Sequence, residues 1–514
     1  MPGRWSEDYV AHVLRPNFAQ AKRHLFKPLM LVNKAHAVML EQCNLISGHD
    51  ARTLLTALED IDRTGSRAYA YNEAYEDLYF AIEARLIELT GDVGGNLQIA
   101  RSRNDIDAAM IRMVVREALL GLFEVISELR GVLLSRSLEF IDALMPGYTH
   151  NQPAQPTTLA HYLGATLACL ERDAERLRAA YRNVNRNPLG AAAMTTTSFP
   201  IRRDLTERLL GFEGLEENGI NAVGGADHTL EAVSATMLCA ISLSRTTFDL
   251  MTWTSREVGF LRVPDKFVQI SSIMPQKRNP VVLEHIRAKL ARTHGAAQTV
   301  FNLARNIPYG DVNDVGEPML EPVLRCFTEA DEAISLLAAV LEEAHFNIDQ
   351  MSRRAGEHFT TATGLADHLV ADCGLPFRQA HHVASKVVDL AYQRGLGYEQ
   401  VTVALVNEAA LEKLGKTLAL NEASITKALD PKAFVEARKL PGGPAREAML
   451  PFLSRAQATL EADESWRRAA LRRLREARDD LEHSIHSILE PAAESVAESV
   501  AQQTKQPASE VGPA

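Results

Sequence analysis

Residues 102–139 read SRNDIDAAMIRMVVREALLGLFEVISELRGVLLSRSLE, a stretch without proline. Its apolar residues fall at Ile111, Val114, Val115, Ala118, Leu119, Leu122, Val125, Ile126, Leu129, Val132 and Leu133, the spacing of a helix that buries one face over many turns. At 1.5 Å per residue such a helix is roughly 55 Å long. Asp227 to about Phe260 repeats the pattern with HTLEAVSATMLCAISLSRTTFDLM, where Ala232, Ser234, Ala235, Ala240, Ser242 and Ser244 let neighbouring helices approach closely. Thr157 to about Tyr181 and Leu283 to Asn306 add two more long periodic stretches. Helices of this length cannot be hidden inside one small domain, so the pattern predicts an all-α subunit whose central long-helix bundle is shared between subunits.

The rest of the chain sets limits on that picture. At 514 residues it exceeds one ordinary core, and length alone suggests two to four domains. Residues 1–100 read as a mixed-helical N-terminal domain, 101–350 as the long-helix domain, and 351–490 as a set of shorter C-terminal helices around GLPFRQAHHVASKVVDLAYQRG. The tail 491–514 is polar, lacks a core face and reads as disordered. Period-two alternation is scarce, FVQIS at 267–271 being the best instance, so no substantial sheet is expected. A net charge of −11 argues against a nucleic-acid partner. Five scattered cysteines, with no metal-ligand spacing among them, read as reduced core residues of a cytoplasmic protein. Neither a signal peptide nor an apolar run of the ~18 residues needed for a membrane span is present.

Three polar clusters flank the long helices. In ARSRND, residues 100–105, a hydroxyl, two guanidinium groups and an amide precede a helix, with Asn104 or Asp105 as the expected N-cap. The segment admits a plain capped helix start or a carboxylate site in which Arg103 pairs bidentately beside free backbone N–H groups. In MPGYTHNQPAQPTT, residues 145–158, Thr149, His150, Asn151, Gln152 and Gln155 crowd a loop whose prolines favour extended backbone. In QISSIMPQKRNP, residues 269–280, a paired serine stands six residues ahead of Lys277. There Asn279 is expected to cap a helix beginning at Pro280, with Glu284 in its first turn. A serine acts as a base only when ionised, which requires a nearby cation and exclusion of water. The inventory suits abstraction of a proton next to a carboxylate, with fixed donors holding the developing charge. No glycine-rich phosphate loop and no His/Cys metal cluster accompany it, and GGADHT at 224–229 reads as a helix start.

SSIMPQKRNP resembles the signature of the fumarase/aspartase superfamily. With EDLYFAIEARL (76–86), ARSRND, MPGYTHNQPAQP, TTATGLADHLV and LPFRQAH (375–381), the chain is most similar to argininosuccinate lyases and their close relatives. The resemblance implies a three-domain helical subunit, a homotetramer with active sites lined by three subunits, no cofactor or metal, and fumarate as one product of reversible carbon–nitrogen cleavage. It implies Ser271 as catalytic base, Lys277 and Asn279 as holders of the carboxylates and carbanion, and Thr149 and His150 as a second pair with Glu284 partnering His150. Ser102, Arg103 and Asn104 match the succinyl-binding trio, and Gln155 lies on the same matched loop as His150.

The chain also departs from that family. Ile270 replaces the usual glycine before the serines, and QIARSRNDI (98–106) replaces HTGRSRNDQ. The usual YNRDLQEDKEP becomes PYGDVNDVGEP at 308–318. Pro308, Asn313 and Gly316 thus stand where Tyr, Gln and Lys help seat the amino-acid half of argininosuccinate, and Tyr309 lies one place away. The expectation is an intact succinyl half and a rebuilt amine half, as in lyases of aminopolycarboxylates such as ethylenediamine disuccinate. Argininosuccinate cleavage is the alternative, and a catalytically silent scaffold on the same fold is a lesser one that the intact Ser271, Lys277, Asn279, His150 and Glu284 oppose.

Overall fold

In the computed structural model, which describes residues 5–490, the long helices are Arg103–Glu139, Leu159–Val184, Asp227–Trp253, Val281–Ala304, Glu317–Glu343 and Arg446–Leu489. The Arg103–Glu139 helix has 37 residues, or about 55 Å of axis. Ser102, and neither Asn104 nor Asp105, is its N-cap: the Ser102 hydroxyl accepts from the Asn104 N–H, and Asp105 returns a bond to the Ser102 N–H at 3.0 Å. That reciprocal capping box places the carboxylate three residues inside the cap. The expected start at GGADHT is observed, with the helix opening at Asp227.

Ion pairs fix the relative directions of the helices. Lys289 pairs with Glu329 and Glu332, and Arg292 with Glu329, so Val281–Ala304 and Glu317–Glu343 run antiparallel as a hairpin. Arg103 lies near Glu317, while Arg136 donates to the Ala344 carbonyl at 2.5 Å, so Arg103–Glu139 runs parallel to Glu317–Glu343. One pole of the bundle therefore carries residues 103, 304 and 317, and the other carries 139, 281 and 343.

The central core is apolar and continuous, with Leu122, Ile126, Leu163, Leu167, Leu243, Leu283, Ile286, Ile334 and Leu337 each at most 1% exposed. A second core joins the N-terminal helices Phe26–Gln42, Gly48–Thr64 and Leu78–Thr90 to the start of Arg103–Glu139, and a third lies between 359 and 429. The last helix, Arg446–Leu489, packs on the first two cores. Met449, Leu453 and Leu460 enter the central one, and Leu481 and Ile485 enter the N-terminal one.

Among the described residues, strands are confined to three two-stranded ribbons, in keeping with an all-α subunit. Residues 145–158, expected as a loop, belong to an antiparallel hairpin, Leu144–Thr149 with Gln152–Thr158. Its turn is His150–Asn151, both with positive φ of 52° and 58°, the twist that suits a two-residue hairpin connection. The FVQIS segment contributes Gln269 and Ile270, which pair with Asn279 and Arg278. Asn279 is therefore a strand residue rather than a cap, and Pro280 precedes Val281–Ala304 with no side-chain cap. The expected tail at 491–514 lies outside the described residues. No described helix is long and apolar enough to cross a membrane.

Candidate active site

At the first pole, the Asp105 carboxylate also accepts from the Gly190 and Ala192 N–H groups, both at 2.9 Å, tying the helix start to the 188–193 loop. Burial pushes its pKa up to about 6, against the pull of these donors. Asn104 extends the contact, its Nδ2 donating to the Ala193 carbonyl at 3.2 Å. The Arg103 guanidinium is half-buried, 3.0 Å from Asp77 and 3.9 Å from Glu76, and lies 5.3 Å over the Phe80 ring. Asp77 is itself the N-cap of Leu78–Thr90, so helix capping and arginine orientation share one carboxylate.

More acid surrounds that guanidinium. Burial raises Asp107 to about 8, with Arg103 opposing, and burial together with Asp77 raises Glu317 to about 7. Beneath the segment, Arg101 donates to Asn33 Oδ1 at 2.7 Å, and Tyr79 donates to Gln98. His36 Nε2 lies 2.9 Å from the Ile99 carbonyl, and burial beside Arg101 holds its pKa at about 3. Neutral His36 therefore donates to that carbonyl and braces the turn before Ser102. The sequence reading missed Asn33 and His36, and it counted Arg101 in the ARSRND cluster without giving it a role. Asn33 and His36 lie far from ARSRND in the chain, and only folding unites them.

The 308–316 segment reaches the same pole. Asp311 on it feels the Arg103 charge, and burial raises its carboxyl. Tyr309 donates its phenol proton to Asn221 Oδ1. Asn313 opens a short 3-10 turn and its side chain is exposed.

The other two clusters lie at the opposite pole. Thr149, His150 and Gln155 are exposed on the hairpin, and Gln155 Nε2 donates to Thr363 of the C-terminal part at 3.1 Å. Residues 271–277 form a loop closed by the two-residue ladder at 269–270 and 278–279. Ser271 Oγ accepts from the Met274 N–H at 3.1 Å, and Lys277 N–H donates to the Met274 carbonyl at 3.0 Å. Ile270 and Ile273 are 78% and 82% exposed, so the loop stands open to solvent. Glu284 is exposed in the first turn of Val281–Ala304. Among the described residues no hydrogen bond or ion pair joins Ser271 to Lys277 or His150 to Glu284, and none is placed to form a three-ligand metal site.

Ser102, Arg103, Asn104, Tyr309 and Asn313 thus share one end of the molecule, and Thr149, His150, Gln155, Ser271, Lys277, Asn279 and Glu284 the other. The length of Arg103–Glu139 separates them. The profile of a family described as lyase matches residues 16–295, and that of the argininosuccinate lyase C-terminal region matches 359–436. Argininosuccinate lyase 1 of Shouchella clausii is 36% identical over 459 residues, 89% of this chain and 92% of its own. The chain is an argininosuccinate lyase-like member of the fumarase/aspartase superfamily. It is a carbon–nitrogen lyase.

Other relatives agree with that placement. The argininosuccinate lyase of Methanosarcina barkeri is 38% identical over 446 residues, 86% of this chain and 89% of its own. A crystal structure of EDDS lyase in complex with formate superposes with a TM-score of 0.85 at 30% identity, covering 92% of this chain and 96% of that one. The 3-carboxy-cis,cis-muconate lactonizing enzyme of Pseudomonas putida, at 17% identity and TM-score 0.68 over 89% of this chain and 100% of that one, shares the fold alone.

Proposed function

We propose that this lyase eliminates an amine from an N-substituted aspartate other than argininosuccinate, of the ethylenediamine disuccinate type, giving fumarate. Ser271, ionised beside Lys277 when the 271–277 loop closes, removes the proton next to a carboxylate. The electron pair left on carbon forms the double bond as the carbon–nitrogen bond breaks and the amine departs. Ser102, Arg103 and Asn104 hold one carboxylate, Lys277 and Asn279 the other, and Thr149 with His150, oriented by Glu284, completes the succinyl side. Gln155 borders it, and Tyr309 and Asn313 face the amine. The observation that carries this reading is the stretch 308–316, where Pro308, Asn313 and Gly316 stand in place of the Tyr, Gln and Lys of argininosuccinate lyases. Loss of a charged hydrogen-bond partner costs about 1.5 to 3 kcal/mol, or roughly one to two powers of ten in affinity.

A second reading, cleavage of argininosuccinate to arginine and fumarate, is favoured by the identity of 36% and 38% to argininosuccinate lyases. Fumarate release from the two substrates side by side, followed by ultraviolet absorbance, separates them. Far more efficient turnover of argininosuccinate would make the second reading correct.

The working unit in this proposal is a homotetramer of three-domain subunits (1–100, 101–350, 351–490) acting in the cytoplasm without cofactor. The polar separation of the clusters supports it, since a single chain presents Arg103 and Ser271 at opposite ends. So do Leu238, Ile241 and Phe248, which leave an apolar stripe exposed along Asp227–Trp253 for a second copy to cover.

A further inference from the structure

The segment 218–225, NGINAVGG, leads into the helix start at GGADHT. In the structure it is the surface on which the 308–311 turn rests. Asn218 caps the short Gly219–Gly224 helix, accepting from the Asn221 N–H at 3.1 Å. A Cβ on Gly224 would lie 2.6 Å from the Gly310 Cα, 2.7 Å from its N and 2.8 Å from its carbonyl carbon. These are backbone atoms, so any side chain at 224 pushes the turn away as a unit. A Cβ on Gly225 would meet the Asn221 carbonyl oxygen at 2.6 Å and Oδ1 at 2.8 Å, so a glycine here leaves the Asn221 amide room beside the backbone. Against this seat the Tyr309 phenol donates to Asn221 Oδ1 although the ring is 69% exposed.

A phenol has one proton to donate. With that proton held by Asn221, Tyr309 offers an incoming molecule only the lone pairs of its oxygen, and so selects a hydrogen-bond donor, such as an amine N–H, over an acceptor. We infer that Asn221 and Gly224 are positioning residues that fix Tyr309 as a hydrogen-bond acceptor for the amine half of the substrate. The inference rests on the reading above that Tyr309 faces the amine side. It adds that specificity there is set from a segment that itself makes no substrate contact.

The test runs the reaction in the addition direction, joining fumarate to ethylenediamine or to arginine, whichever the native protein uses. KM for each reactant and kcat are measured for Asn221→Ala, Asn221→Asp, Gly224→Ala and Tyr309→Phe. Asn221→Ala and Gly224→Ala should raise the amine KM about tenfold, the worth of one hydrogen bond to a charged group, with the fumarate KM unmoved. Asn221→Asp keeps an acceptor in place and should stay within about threefold of native on the same scale. Tyr309→Phe should match Asn221→Ala. An unchanged amine KM in Asn221→Ala, or an equal rise in the fumarate KM, overturns the inference. If Asn221→Ala does not fold, a loss in Asn221→Asp as large as that in Tyr309→Phe overturns it instead. Native protein that joins neither amine to fumarate removes the underlying reading as well, whereas native activity with indifferent variants removes this inference alone.

Discussion

Replacing Asp463 with Ala should be among the most damaging single changes outside the active site. Arg130, in the middle of Arg103–Glu139, is fully buried, and its Nη1 donates to Asp463 Oδ2 at 2.7 Å from the last helix. Its Nε and Nη2 have no hydrogen-bond partner among the described residues, so Asp463 is the one acceptor on a guanidinium removed from water. Arg178 is 3.8 Å from the same carboxylate but half-exposed, and contributes little. Breaking a buried pair from one side costs about 3 to 5 kcal/mol, because the remaining charge is uncompensated. That is a factor of roughly 10² to 10³·⁵ in the unfolding equilibrium. Replacing both partners with apolar residues of similar volume, Arg130→Met with Asp463→Leu, should recover most of the loss. Urea unfolding of the native protein, the single variant and the double variant at one protein concentration measures this. A loss below about 1 kcal/mol for Asp463→Ala, the size of a surface pair, or a double variant as unstable as the single one, would refute the reasoning.

Ser271→Ala should abolish turnover while fumarate still binds, since the base acts in the transition state; equal damage from Ser272→Ala with Ser271→Ala near native would show that the other serine is the base. Arg103→Ala should weaken fumarate affinity roughly tenfold to a hundredfold by calorimetry, and unchanged affinity would remove Arg103 from the site. The raised carboxyls beside Arg103 also predict a pH dependence. Glu317 and Asp107 are neutral below about 7 and about 8 respectively and become anions as pH rises through those values. Each new charge competes with the substrate carboxylate for the guanidinium, so fumarate affinity should fall between about pH 6 and 8.5, and Glu317→Gln should flatten the lower part of that fall.

The long helices were legible because a buried face over many turns repeats with a fixed period, as Leu122, Ile126, Leu129 and Leu133 do. Glu284 was correctly placed in a first turn for a related reason, since it follows Pro280 where an apolar run begins. Capping was harder to read: Ser102, Asn104 and Asp105 are all good N-cap residues, and only the backbone shows that Ser102 takes the cap while Asp105 closes the box. The 144–158 hairpin was hidden by Pro146, Pro153 and Pro156 and by an irregularity between Gly147 and Tyr148 that breaks strict alternation. The Gln269–Ile270 ladder was too short to carry a period, so Asn279 was mistaken for a cap. Beneath ARSRND, the bracing of Asn33 and His36 depends on contacts between residues distant in the chain, which no local pattern announces.

The central claim is that a carbon–nitrogen lyase site is completed across copies of the chain. Its most direct test mixes two variants with defects at opposite poles, Arg103→Ala and Ser271→Ala, after dissociation and reassembly in equal amounts, and assays them at a substrate concentration too low for Arg103→Ala alone to turn over measurably. If a site takes Arg103 from one copy and Ser271 from another, random assembly leaves about one quarter of sites with both native residues, and activity should return to about that fraction of native. Activity that stays at the level of the separate variants, with native oligomers re-formed, would contradict the account.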